Sequence, residues 1–230
     1  MSVAGEVGDH LGEVRRRIAA AARAAGREPD TVTLVVVTKE VGLDRVRAAI
    51  AGGAVELGEN RAQDLVTKAE ALAGDEDASA RALRWHFIGR LQRNKVRAAA
   101  PHVALWQSID RSELAAEVGH RAPGAAVLVQ VNVTGEAQKG GCAPDAVAGL
   151  VDTCRTHGCR VEGLMTVPPA AGDPRPVFAR LRRMTDDLEL RVCSMGMSGD
   201  FELAIAEGAT MVRVGGAIFG PRPGPAGARR

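Results

Sequence analysis

The sequence predicts an α/β protein folded as a single closed, TIM-type (β/α)8 barrel with an N-terminal helix, and three observations carry that reading. Eight short apolar runs recur along the 230 residues. Longer Ala-, Leu-, Arg- and Glu-rich stretches separate them, an alternation that imposes parallel pairing and right-handed crossovers. Eight such repeats within about 200 residues favour closure over an open doubly wound sheet, the competing arrangement.

Taken in order, residues 10–26 read as a helix stopped by Gly26, with Pro29 beyond. The predicted strands are Thr33–Thr38, Ala54–Gly58, Trp85–Gly89, Val103–Ser108, Ala126–Val133, Val161–Val167, Arg191–Met195 and Met211–Gly215. The predicted helices between them are Arg61–Ala73, Arg93–Ala100, Ser112–Ala122, Pro144–His157, Pro174–Leu190 and Asp200–Glu207. The end, GPRPGPAGARR, cannot build an eighth outer helix, so the opening helix is expected to fill that place. Residues 1–220 are read as one domain and 221–230 as a disordered tail.

Composition excludes several classes. Thirty Lys and Arg against 28 Asp and Glu leave a net charge of +2, without the clustered excess that nucleic-acid binding needs. No apolar run is long enough to span a membrane and the start has no apolar secretory segment, so a cytoplasmic protein is expected. Cys142, Cys154, Cys159 and Cys193 are scattered, giving neither a disulfide framework nor a paired metal spacing, and no metal site is expected.

In a parallel barrel the chemistry gathers at the C-terminal ends of the strands. Lys39 directly follows the apolar run Leu34–Thr38, where partial desolvation would make its amine a nucleophile toward an aldehyde; a snorkelling strand-end lysine is the plainer alternative. The other three lysines, Lys68, Lys95 and Lys139, lie in a polar helix, a basic run and a Gly-rich loop, and read as solvated cations. After the last two strands come Ser194-Met-Gly-Met-Ser198-Gly-Asp200 and Gly215-Gly216, whose small residues let backbone N–H groups converge on an anion such as phosphate. Arg213 alternates with Val212 and Val214 and must be paired, either with a carboxylate such as Glu56 or Glu59 or with a ligand.

The stretches VVVTK (35–39), LGENRAQDL (57–65), RWHFIGRLQRNKVR (84–97), SID (108–110), VLVQVNVTGEAQKGG (127–141), VEGLMTV (161–167) and SMGMSGDFELAIAEGATMVRVGGAIFG (194–220) together resemble the pyridoxal phosphate homeostasis protein family, relatives of the alanine racemase barrel. The resemblance implies a fold-type III barrel that binds pyridoxal 5′-phosphate (PLP) as a Schiff base on Lys39. It implies Ser194, Ser198 and the backbone at Gly215 and Gly216 on the phosphate, Asn60 and Met165 along the ring pocket, and Arg213 facing the pyridine nitrogen. For His86 a pocket wall and a core position both stay open. The sequence departs from the family at Gly216, usually threonine, at Glu40-Val41-Gly42, where a second lysine and a proline are common, and at Leu57, often phenylalanine.

An arginine at the pyridine nitrogen keeps its proton, so the ring is a poor electron sink. Alanine-type racemases look to need a tyrosine base carried on a second domain, and this chain has no tyrosine. The implied role is therefore PLP homeostasis: buffering the cofactor or delivering it to PLP-dependent apo-enzymes, by a monomer or weak dimer without a robust reaction. Two alternatives remain. One is a PLP-dependent racemase using Lys39 with a partner such as a cysteine; the other is a cofactor-free Schiff-base aldolase acting on a phosphosugar.

Overall fold

The eight apolar runs become eight parallel strands: β1 (Thr33–Val37), β2 (Glu56–Glu59), β3 (Arg84–Phe87), β4 (Val103–Ile109), β5 (Ala126–Gln130), β6 (Arg160–Met165), β7 (Val192–Ser194) and β8 (Met211–Val214). The computed structural model describes residues 2–75, 83–136, 139–169 and 171–220, so the tail expected at 221–230 lies outside the described residues. Each strand pairs with the next, and β8 returns to β1 in the register Thr33↔Met211 to Val36↔Val214. That last pairing closes the barrel and eliminates the open sheet, because no edge is left unpaired.

Strand alternation sorts the side chains. Val35, Leu105, Leu128, Met165 and Met211 form an apolar plug inside the barrel. Val36, Leu57, Val127, Val129, Val212 and Val214 belong to a second, larger core between the strands and the surrounding helices. Nine α-helices are described: α1 (Val3–Ala24), α2 (Leu43–Ala51), α3 (Ala62–Ala73), α4 (Arg93–Ala99), α5 (Ser112–Arg121), α6 (Val147–Thr156), α7 (Arg175–Asp187), α8 (Phe201–Ala206) and α9 (Gly216–Phe219). Two of them, α2 and α9, were not expected. For α2 the signal is short: Val46, Ala49 and Ile50 mark one buried face between Gly42 and Gly52.

The first helix starts seven residues earlier than its periodicity suggests, because the Ser2 side chain caps it by accepting from the Gly5 amide at 3.2 Å. Val7, Leu11, Val14, Ile18 and Ala22 recur at intervals of three and four and form one buried stripe. The stripe packs against α2, α8 and α9. Arg17 Nε donates to Glu202 Oε1 at 2.6 Å, and His10 Nδ1 lies 3.1 Å from the Ile218 carbonyl. Thus α1 covers the β8–β1 seam and occupies the eighth outer position.

Candidate functional site

A cavity of about 540 Å³ opens at the C-terminal end of the barrel. Its polar lining comes from Lys39, Asn60, Ser198, Arg213, Gly215 and Gly216, and its apolar wall includes Val37, Ile88, Val167 and Phe219. Six of the eight residues singled out from sequence therefore meet around one space. The other two sit one level lower in the barrel: Met165 is paired across from Ser194, and Ser194 from Met211, two residues before Arg213. Met165 packs into the apolar plug, and Ser194 is fully buried behind Arg213.

Lys39 is held by what surrounds its neighbour. The Thr38 amide donates to the Gly58 carbonyl at 2.9 Å and its hydroxyl to Glu59 Oε1 at 2.8 Å. Lys68 donates to the Thr38 carbonyl at 2.6 Å and pairs with Glu59 at 2.5 Å. Lys68 is thus a buried structural cation, not the solvated one its helix suggested; Leu65, Ala69 and Leu72 share its buried face. Just past Lys39 the backbone turns left-handed at Glu40 (φ 62°), a conformation that costs a non-glycine residue roughly 1–3 kcal/mol, and Val41 beyond it returns to the cavity wall. Asn60 is approached closely by Gly89, where a Cβ would lie 2.0 Å from the Asn60 carbonyl oxygen, so only glycine fits.

On the opposite side, the amides of Gly215 and Ala217 both donate to Ser198 Oγ, at 3.3 and 3.2 Å. Converging N–H groups and a hydroxyl at one point make an anion corner. Gly215 is required sterically, since a Cβ would come within 2.8 Å of the Val37 carbonyl oxygen, whereas one at Gly216 would meet only Ser198 at 3.6 Å.

Arg213 donates through Nη1 to Ser194 Oγ at 2.6 Å and through Nη2 to the Thr166 carbonyl at 2.8 Å. Burial pushes its pKa down to about 10, against the opposing pull of Asp200, and the guanidinium stays charged at neutral pH. It pairs with neither carboxylate considered from sequence. Glu59 belongs to Lys68, and Glu56 pairs with His86 at 2.6 Å and Arg84 at 3.0 Å. His86 proves to be an interior residue, 1% exposed. Sequence reasoning missed Gln107, Thr166 and the role of Lys68. For Gln107 the available signal was position: it lies two residues after Leu105 on β4, the spacing that keeps both inside the barrel.

None of the four cysteines lines the cavity. Burial raises the thiol pKa of Cys142 to about 11, of Cys154 to about 12 and of Cys193 to about 11, and shifts Cys159 upward too. Among the described residues no group of three His, Cys, Asp or Glu side chains is placed to hold a metal. The donor set fits a phosphorylated aldehyde: an amine on one wall, an anion corner on another, and a buried cation between them.

Comparison with known proteins bears on this arrangement. A family model described as alanine racemase, N-terminal domain, matches residues 10–223. The pyridoxal phosphate homeostasis protein of Pseudomonas aeruginosa is 40% identical over 226 residues, covering 94% of this chain and 96% of that protein. The structure of PipY from Synechococcus elongatus with PLP bound superposes with a TM-score of 0.79 at 30% identity, over 93% of this chain and all of PipY. Alanine racemase from Corynebacterium glutamicum shares the fold, with a TM-score of 0.68 at 18% identity; the match covers 95% of this chain and 62% of the racemase.

Proposed function

The chain belongs to the pyridoxal phosphate homeostasis protein family, built on the alanine racemase N-terminal domain, and from that membership we propose that it binds PLP as a Schiff base on Lys39 and buffers the cofactor or delivers it to PLP-dependent apo-enzymes. The observation that carries this reading is the single cavity that joins Lys39 to Ser198, Gly215, Gly216 and Arg213. When bound, the cofactor supplies an aldehyde that condenses with an amine and releases water.

The chain's own residues then divide the work. Lys39 supplies the amine from a strand end tied back by Thr38 and Lys68. The Ser198 hydroxyl and the amides around Gly215 and Gly216 take the phosphate. Arg213 has three further N–H donors beyond the two already engaged, and one of them meets the ring nitrogen without giving up its proton. Asn60 borders the ring, while Met165 and Ser194 support the floor from below. Residues 1–220 act as one cofactor domain, working in the cytoplasm as a monomer or weak dimer.

Carriage is favoured over racemisation by the cavity's composition. Among the described residues, Lys39 and Arg213 are its only ionisable side chains, so no second base stands opposite the amine. Burial holds the thiols protonated, which argues against a cysteine in that role. The deciding experiment is reconstitution with PLP followed by transfer to an apo-enzyme. A visible absorbance band and transfer, both lost in Lys39→Ala, are expected. Turnover of L-amino acids well above that of free PLP would replace carriage with the racemase reading, and a chain that stays colourless would remove both.

A further inference from the structure

Behind Arg213 the barrel interior holds a line of polar side chains, Ser194, Gln107, His86 and Glu56, none of which lines the cofactor cavity. Arg213 Nη1 donates to Ser194 Oγ at 2.6 Å, and Ser194 donates to Gln107 Oε1 at 2.7 Å. Gln107 Nε2 lies 2.7 Å from His86 Nδ1 and 3.2 Å from the Met211 sulfur, and His86 Nε2 lies 2.6 Å from Glu56 Oε2. The line crosses from β8 and β7 to β4, β3 and β2, ending on the first residue of β2 at the far mouth of the barrel. Arg213, Ser194, Gln107 and His86 are each at most 4% exposed.

Proton counting gives the line a direction. Arginine only donates, so Ser194 must accept from it, and the single Ser194 proton passes to the Gln107 carbonyl. The Gln107 amide nitrogen therefore faces His86, whose Nδ1 must carry a lone pair. The ring proton sits on Nε2, facing the Glu56 carboxylate. Reversing the amide would give Ser194 two donors, leave its own proton no acceptor in the line, and demand a proton on Nδ1. Both ends agree: an obligate donor at Arg213 and an acceptor carboxylate at Glu56.

We propose that Gln107 is a positioning residue for the cofactor pocket, locking the Ser194 hydroxyl so that its lone pair holds Arg213 toward the ligand ring, with His86 and Glu56 fixing the Gln107 amide in turn. This rests on the PLP-binding reading above and deepens it. A hydroxyl alone is a free rotor; with the Gln107 oxygen taking its proton, Ser194 presents one face to the guanidinium.

Two measurements on the full-length chain test it. Long-range 15N NMR without cofactor should find the His86 proton on Nε2 at neutral pH; a proton on Nδ1 instead would overturn the proposal. In PLP titrations followed by absorbance, Gln107→Leu and Ser194→Ala should each weaken binding about tenfold, with the double variant no weaker than either single. Gln107→Glu keeps an acceptor for Ser194 and should recover most of that loss. Unchanged binding in Gln107→Leu, additive effects in the double, or no recovery in Gln107→Glu each sink the idea. Should Gln107→Leu fail to fold, the comparison of Gln107→Glu with Ser194→Ala decides it: binding as weak as that of Ser194→Ala in the glutamate variant is the refuting result. A wild-type chain that binds no PLP overturns the binding reading and the pocket role together, and the His86 tautomer then separates that outcome from failure of the hydrogen-bond line itself.

Discussion

Lys68 Nζ lies 2.5 Å from Glu59 Oε1 in a buried pair, and the same amine reaches the carbonyl oxygen of Thr38, the residue before Lys39. The ends of β1 and β2 are thereby tied from behind, on the helix side of the barrel. Removing one partner leaves a charge buried without compensation, which costs roughly 3–5 kcal/mol. Lys68→Met is expected to lose that much in urea unfolding, and Lys68→Met with Glu59→Leu to regain most of it. Equal stability of Lys68→Met and wild type would show that the pair does not anchor the strand ends.

Gly215 and Gly216 are adjacent but sterically unlike. Gly215→Ala forces a Cβ to within 2.8 Å of backbone at Val37, whereas Gly216→Ser places one in ordinary contact with Ser198 at 3.6 Å. The alanine variant should lose stability and PLP binding together. The serine variant should unfold within about 1 kcal/mol of wild type and bind PLP more tightly through the added hydroxyl. Thermal melts and absorbance titration read both; a serine variant that binds more weakly would mean the corner does not receive the phosphate.

Glu56 carries a prediction about acid. Burial raises its pKa, but the hydrogen bond to His86 and the electrostatic interactions with His86 and Arg84 outweigh that, so the folded-state value falls below the usual 4.5. Its contribution is therefore complete above the unfolded-state pKa and is lost as pH drops through the lower folded value. Glu56→Gln should cost about 1–3 kcal/mol at pH 7, with the gap to wild type narrowing below about pH 4.5. A gap that stays constant from pH 7 to pH 3 would contradict the assignment.

The thiols predict slow chemistry. With values of about 11 for Cys142 and Cys193 and about 12 for Cys154, almost no thiolate exists at pH 7.5. A thiol reagent such as DTNB should react sluggishly with the native chain and count four thiols once denaturant is added. Rapid native reaction of any cysteine would show that its thiol is not held protonated by burial.

Much of the architecture is legible because barrel strands are short apolar runs, and the closing pair β1 and β8 are among the clearest, TLVVV and MVRV. Lys39, Arg213 and the glycine pair were legible for a different reason: charged or small residues at strand ends have few structural excuses. Lys68 was not, since one helical turn of polar neighbours hid its place among Leu65, Ala69 and Leu72. The Gln107–His86 contact joins residues 21 apart on neighbouring strands, and only the pairing of β3 with β4 brings them together. Helix α2 was overlooked because its nine residues make only about two and a half turns of periodicity.

Because α1 seals the seam between the first strand and the last, the helix made earliest waits longest for its complete seat. Its stripe meets α2 early, yet α8 and α9 lie about 200 residues further along the chain. Contacts of that span are entropically costly until the intervening barrel exists, so closure is a late, cooperative event. During synthesis the Val7–Ala22 stripe has α2 to pack against but stays partly uncovered until α8 and α9 arrive, and the cofactor corner at Gly215 and Gly216 forms in that same final step.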